Sequence, residues 1–196
     1  MTALAILDLG YGNTRSIALA FERLGADPRL TDDPAVAAGA GRLVLPGVGA
    51  AGTAMQRLRE TGLDETLATR TRPTLGICLG MQLLFERSEE DGGIDLLGIL
   101  PGEVRALAPK PGFPVPHMGW SRIEAATDGT GVDAGDYVYF AHGYVCPDGT
   151  ATSATSMYGD ATVPAAIRLG HLWAAQFHPE RSSSPGANFL KAFLRS

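Results

Sequence analysis

Two segments of the chain carry side chains whose types and spacing suit covalent catalysis. Gly76-Ile77-Cys78-Leu79-Gly80 sets a cysteine between two glycines, the Gly-x-nucleophile-x-Gly pattern of a sharp strand-to-helix turn. Such a turn strains the nucleophile's backbone, and a Cβ at either flank would crowd the adjoining strand or helix. A helix beginning just after Cys78 would bring positive dipole and free N–H groups toward the sulfur, which favours thiolate. The Leu79 N–H would be placed to stabilise an oxyanion. A buried structural cysteine is the competing reading, since free cysteines usually pack in cores. Cys146, followed by Pro147 at a strand exit, has no elbow and reads as structural.

The second segment is Gln176-Phe177-His178-Pro179-Glu180. Proline pushes the preceding residue out of the helical region, so His178 is expected to be extended. Residues i and i+2 of an extended chain project to one side, so the Glu180 carboxylate can hold the His178 imidazole in one tautomer. A His and a Glu at a strand end can arise by chance. Joined with the cysteine elbow, they complete a nucleophile, base and orienter set. Pro46-Gly47-Val48-Gly49 follows a strand expected beside the elbow strand. Its glycines could turn an N–H toward a developing negative charge, a donor worth about 3 kcal/mol in the transition state. An ordinary turn has the same composition. His117, His142 and His171 lack metal-site spacing, so no metal and no cofactor are expected.

These side chains need elements to hold them. Leu4-Ala5-Ile6-Leu7 reads as a buried strand, followed by the loop Gly10-Tyr11-Gly12-Asn13 and a helix with Ile17, Ala20, Phe21 and Leu24 on one face, stopped at Gly25. Strands at 43–45 and 74–77 alternate with a helical stretch around Leu63 and Leu67 and a helix over 79–85. That alternation predicts βαβ units and a parallel sheet. The second half predicts strands over 103–107, 137–140, 151–157, 165–168 and 172–177, the last two turned by Gly170. A final helix is expected with Ser184 as N-cap, Pro185 first, and Phe189, Leu190, Phe193 and Leu194 on one face. The expected fold is a single α/β domain over 1–196: a central, mostly parallel sheet flanked by helices, with additional antiparallel strands in the C-terminal half.

Bulk properties agree with a folded enzyme of this size. The 196 residues are 45% hydrophobic and 19% charged, with a net charge of −5 and no Lys/Arg run. Binding to nucleic acid or to an anionic membrane has no electrostatic support. The first apolar stretch is too short for a secretion signal, and no segment is long enough to span a bilayer. Two cysteines without signs of export suggest a reducing, cytoplasmic setting.

With Met81 and Gln82 added, the elbow and the His-Pro-Glu segment together resemble the class I glutamine amidotransferases. Within them the chain is most similar to the glutaminase subunits of imidazole glycerol phosphate synthases, the histidine-pathway enzymes. The markers are Asp8-Leu9-Gly10-Tyr11-Gly12-Asn13, Leu45-Pro46-Gly47-Val48-Gly49, His117-Met118-Gly119-Trp120 and Tyr139-Phe140-Ala141-His142-Gly143-Tyr144, and they run over essentially the whole chain. The resemblance implies Cys78 as nucleophile, His178 as acid/base and Glu180 as its orienter, with Val48 and Leu79 supplying oxyanion N–H groups. It implies glutamine contacts at Gly49, Gln82, Glu90, His142, Gly143 and Tyr144. Asn13, Trp120, Tyr139 and Arg181 would face a (β/α)8-barrel cyclase subunit that receives the ammonia in a heterodimer. Leu9 stands where the family usually has Tyr, Ser121 where Asn is usual, and Gly143 where Ser or Thr is common. Leu9 and Ser121 bear on partner contacts, and Gly143 removes a hydroxyl near the substrate. A glutaminase serving another synthase, such as one aminating a surface sugar, fits the same catalytic residues. A cysteine peptidase-like hydrolase and a silent regulatory module fit less of the pattern.

Overall fold

The computed structural model describes residues 3–10 and 13–196; Tyr11 and Gly12 of the expected loop lie outside the described residues. Strands and helices alternate through the first half: β1 (Leu4–Leu7), α1 (Thr14–Arg23), β2 (Pro28–Thr31), α2 (Pro34–Gly39), β3 (Arg42–Leu45), α3 (Ala51–Thr61), α4 (Leu63–Thr69), β4 (Thr74–Ile77) and α5 (Leu79–Gln82). There follow β5 (Arg87–Ser88), β6 (Ile94–Asp95), β7 (Glu103–Ala106), β8 (His117–Ala126), β9 (Tyr137–His142), β10 (Tyr144–Val145), β11 (Thr152–Tyr158), β12 (Ala161–Leu169), β13 (Leu172–Ala175) and α6 (Ser183–Arg195).

A nine-stranded sheet of order β2-β1-β3-β4-β13-β12-β11-β8-β9 runs through the molecule. From β2 to β13 the pairs are parallel, and from β13 to β9 they are antiparallel. The inner parallel strands β1, β3 and β4 are buried on both faces, which is why they read as unbroken apolar runs rather than alternating ones. Ile17 and Phe21 of α1 and Phe189, Leu190 and Phe193 of α6 cover one face. Met55 and Leu58 of α3 with Leu63 and Leu67 of α4 cover the other. Gly25 (φ +82) ends α1 by donating to the Glu22 carbonyl, as its left-handed backbone permits.

Several elements depart from the sequence expectation. β2, α2 and the ten-residue β8 were not legible: β2 is a short strand at the sheet edge, and β8 mixes charge, glycine and alternating exposure. The 103–107 strand belongs to a separate four-stranded sheet, β10-β7-β5-β6. The helix expected over 79–85 stops at Gln82: the Leu84 and Phe85 N–H groups bond three residues back, to Met81 and Gln82, and N–H groups of residues 97–100 take the Leu83, Leu84 and Phe85 carbonyls. The last helix begins at Ser183, not after a Ser184 cap; its boundary residue Ser182 spends its hydroxyl elsewhere.

Candidate active site

β4 and β13 lie side by side and parallel, with Ile77 opposite Ala175. The chain positions following them, Cys78 and Gln176 to His178, are therefore delivered to one edge. Cys78 has φ 54° and ψ −110°, the strained elbow that the flanking glycines predict, and its N–H donates to the Ala175 carbonyl at 2.7 Å. The glycines are sterically required. A Cβ on Gly76 would lie 2.5 Å from the Gly80 carbonyl oxygen, and one on Gly80 would lie 2.0 Å from that of Leu45. The Pro46 to Gly49 loop is seated on the same turn, for a Cβ on Gly47 would meet Leu79 and the Gly80 nitrogen at 2.6 Å. With α5 only one turn long, the macrodipole is weaker than a seven-residue helix would supply. The Leu79 N–H, first of that helix, still lies outside its hydrogen-bond ladder.

His178 is extended (φ −94°, ψ 98°), as Pro179 demands. The following residues are not extended: Pro179–Arg181 form a 3-10 turn. The turn, rather than a continuing strand, swings Glu180 back so that its Oε1 lies 2.9 Å from His178 Nδ1. The Ser182 hydroxyl clamps the turn by donating to the His178 carbonyl at 2.7 Å and accepting the Tyr139 N–H at 2.9 Å. Burial pulls the His178 pKa down, but hydrogen bonding to Cys78 and Glu180 outweighs it and pushes it up to about 10. A histidine whose proton is favoured by a sulfur on one side and a carboxylate on the other is suited to serve as the acid of a Cys–His pair.

Cys78 and His178 open into one cavity of about 370 Å³, which Val48, Gly49, Leu79, Gln82, Glu90, His142, Gly143, Tyr144, Asn13 and Arg181 also line. Glu180 and the pair Trp120 and Tyr139 do not line it. Glu90 Oε2 accepts the Ala51 N–H at 3.0 Å and so caps α3. Burial pushes its carboxyl pKa up, against that bond, and neighbouring Asp91 adds to the rise. The Cys78 thiol donates to the Ala141 carbonyl at 3.7 Å, a contact that no side-chain type in the sequence announces. Cys146 is buried, which pushes its thiol pKa well up, in keeping with a structural role.

The family model for class I glutamine amidotransferases matches residues 5–196. The chain belongs to this family. A relative from Xanthomonas axonopodis pv. citri, named imidazole glycerol phosphate synthase subunit HisH, is 47% identical over 197 residues, covering 99% of this chain and 98% of its own. A relative of the same name from Yersinia pseudotuberculosis is 44% identical over 192 residues, covering 96% and 97%. A crystal structure of a glutamine amidotransferase superposes with a TM-score of 0.78 at 22% identity over 98% of both chains. The glutaminase domain of a Trypanosoma brucei CTPS with bound acivicin gives 0.64 at 14%, covering 100% of this chain and 95% of that one. These two likenesses concern the fold.

In this amidotransferase a directed hydrogen-bond chain runs back from the cavity lining at His142 and Tyr144. A carbonyl only accepts, so the 2.8 Å contact between His142 Nδ1 and the Tyr144 oxygen puts the proton on Nδ1. His142 Nε2 must then accept from His117 Nδ1 at 3.1 Å, and His117 Nε2 from the Ser121 hydroxyl at 2.8 Å. Both rings are neutral: burial lowers His117 to about 4 and, with His117 and His178 nearby, His142 to about 3 despite the Tyr144 bond. Ser121 thus anchors the far end of a chain that reaches the cavity lining at His142.

The four residues expected at a partner face divide between the cavity and the adjoining surface. Trp120 and Tyr139 are cross-strand partners of β8 and β9 with ring centroids 6.1 Å apart, and the Arg181 guanidinium sits 4.3 Å over the Tyr139 ring. Trp120 is 51% exposed, with Met118 and Tyr137 also open. Asn13 precedes α1 without spending its side chain on a cap. Leu9 is buried in the core and not at the surface. A Cβ on Gly143 would meet only Val115 at 3.7 Å, so a hydroxyl side chain would fit there and its absence is chemical, not steric. Among the described residues no group of three or more His, Cys, Asp or Glu could hold a metal ion, and no helix is long and apolar enough to cross a membrane.

Proposed function

We propose that this chain is the glutaminase subunit of an imidazole glycerol phosphate synthase, hydrolysing glutamine to glutamate and ammonia. The observation that carries the reading is Cys78 paired with a Glu180-held His178 in a cavity, in a chain 47% identical over nearly its full length to a relative of that name. The Cys78 thiolate attacks the carboxamide carbon of glutamine, and the Leu79 and Val48 N–H groups receive the oxyanion. His178 protonates the departing nitrogen, leaving a γ-glutamyl thioester on Cys78 and free ammonia. His178 then takes a proton from water, whose oxygen attacks the thioester carbon and releases glutamate. Gln82, Glu90, Gly49 and the 142–144 backbone hold the substrate. Glu90 keeps one oxygen beyond its α3 cap for the substrate's ammonium.

Ammonia passes to a (β/α)8-barrel cyclase subunit seated over Asn13, Trp120, Tyr139 and Arg181. There it is built into imidazole glycerol phosphate, with an aminoimidazole carboxamide ribotide as the second product. The exposed apolar Met118, Trp120 and Tyr137 support a covering partner beside the cavity. The test is synthase activity of the reconstituted pair with Cys78→Ala. Glutamine-dependent synthesis should be lost while ammonia-dependent synthesis persists; retention of glutamine-dependent turnover would overturn the assignment.

A further inference from the structure

Gln176 precedes the base by two residues and is fully buried beneath the cavity floor. Its side-chain amide touches three groups: Gln82 Nε2 lies 3.1 Å from its Oε1, the Cys146 sulfur 3.9 Å from the same oxygen, and the Cys78 sulfur 3.8 Å from its Nε2. Which end of an amide faces a neighbour has to be inferred from the surrounding network, and here a carbonyl decides it. The Tyr144 carbonyl lies 3.1 Å from the Gln82 amide and only accepts, so the NH2 of Gln82 must face it. The same NH2 faces Gln176, which must therefore present its oxygen to Gln82. Its own NH2 is left pointing at Cys78. Reversing Gln176 alone would set two NH2 groups against each other, and reversing both amides would set two oxygens together at Tyr144. The other contact of the Tyr144 oxygen is the His142 Nδ1–H, so the polarity is reinforced from the histidine chain.

We infer that Gln176 is a further catalytic residue, donating an amide hydrogen bond to the Cys78 sulfur and stabilising its thiolate from the side opposite the solvent. This rests on Cys78 being the nucleophile. As a thiol, Cys78 donates to the Ala141 carbonyl. On losing its proton it can only accept, and Gln176 supplies a donor that burial holds in place. Cys146 caps the amide oxygen from behind.

The test is the pH dependence of Cys78 alkylation by iodoacetamide in the full chain, read by peptide mapping so that Cys146 is scored separately, for wild type and Gln176→Met. Methionine keeps the length and removes the donor. The midpoint should rise by about one pH unit, the scale of a hydrogen bond to a charged group. Glutamine kcat/KM should fall about tenfold at neutral pH, with the loss in kcat rather than KM. An unchanged midpoint with a raised KM would overturn the inference and leave Gln176 as a support for Gln82 alone. Should Gln176→Met fail to fold, the Gln176 side-chain NH2 resonances of the wild type serve. They should titrate with the Cys78 midpoint, and resonances flat across it would sink the idea. A glutamine-analogue electrophile that fails to label Cys78 would instead remove the underlying assignment of the nucleophile.

Discussion

His178 has two acidic neighbours of different kinds, the Cys78 thiol and the Glu180 carboxylate, and both raise its pKa. Glu180 Oε1 fixes Nδ1 as the donor, so Nε2 is the nitrogen left to face Cys78. Glu180→Gln should therefore keep the fold but lower kcat by roughly 10²–10⁴-fold, measured as glutamate release with the partner present. It should also lower the His178 pKa, which imidazole NMR would follow. The stability consequence has a definite sign. A folded-state pKa raised from 6.5 to about 10 contributes stability that is complete below about 6.5 and lost as pH rises through about 10. The melting-temperature advantage of wild type over Glu180→Gln should shrink across that window; an advantage that grows with pH would contradict the ion pair.

At the level of elements, the active site is a stack of close backbone approaches. β3 and its loop, β4 and the start of α5 meet where side chains do not fit. Gly80→Ala should prevent folding or cost several kcal/mol, about 3 or more, because the clash is with the backbone oxygen of Leu45 rather than with a movable side chain. Gly49→Ala meets open space but has φ +91°, so it should cost about 1–2 kcal/mol in denaturant melts while impairing glutaminase turnover by shifting the Pro46 to Gly49 loop at the cavity. The β8–β9 pair carries its own pH signature. His117 and His142 are neutral when folded, with pKa values lowered to about 4 and 3, so their contribution is present above about 6.5 and is lost as pH falls toward those values. Each can cost up to about 1.4 kcal/mol per pH unit in that range. Acid titration of His117→Gln should show a shallower loss of stability than wild type.

For the whole molecule, the reaction makes sense only when ammonia has somewhere to go. The cavity wall, the exposed Trp120 and the Arg181–Tyr139 stack adjoin, so a partner docked there would touch the site that feeds it. The isolated chain should show low glutaminase activity, raised by the barrel subunit and its nucleotide; fast turnover without a partner would refute this coupling. Trp120→Ala should weaken partner binding at least about tenfold in calorimetry, as removal of a central aromatic contact does, and leave the melting temperature nearly unchanged.

The chemistry was legible in the sequence because it is local. Gly-x-Cys-x-Gly constrains its own backbone, Pro179 constrains His178, and apolar runs at strand length mark β1, β3 and β4. Gln176 stood in the motif without a role, since nothing in its neighbours along the chain says which way an amide points. That direction comes from a carbonyl on β10, relayed through Gln82. The neutral histidine pair and the capture of the Leu83 to Phe85 carbonyls by residues 97–100 were likewise settled by groups distant in sequence. Spacing along a chain determines which side chains can cooperate. Only packed neighbours determine where each hydrogen-bond donor is aimed, because a donor takes its orientation from the acceptors that folding brings within reach.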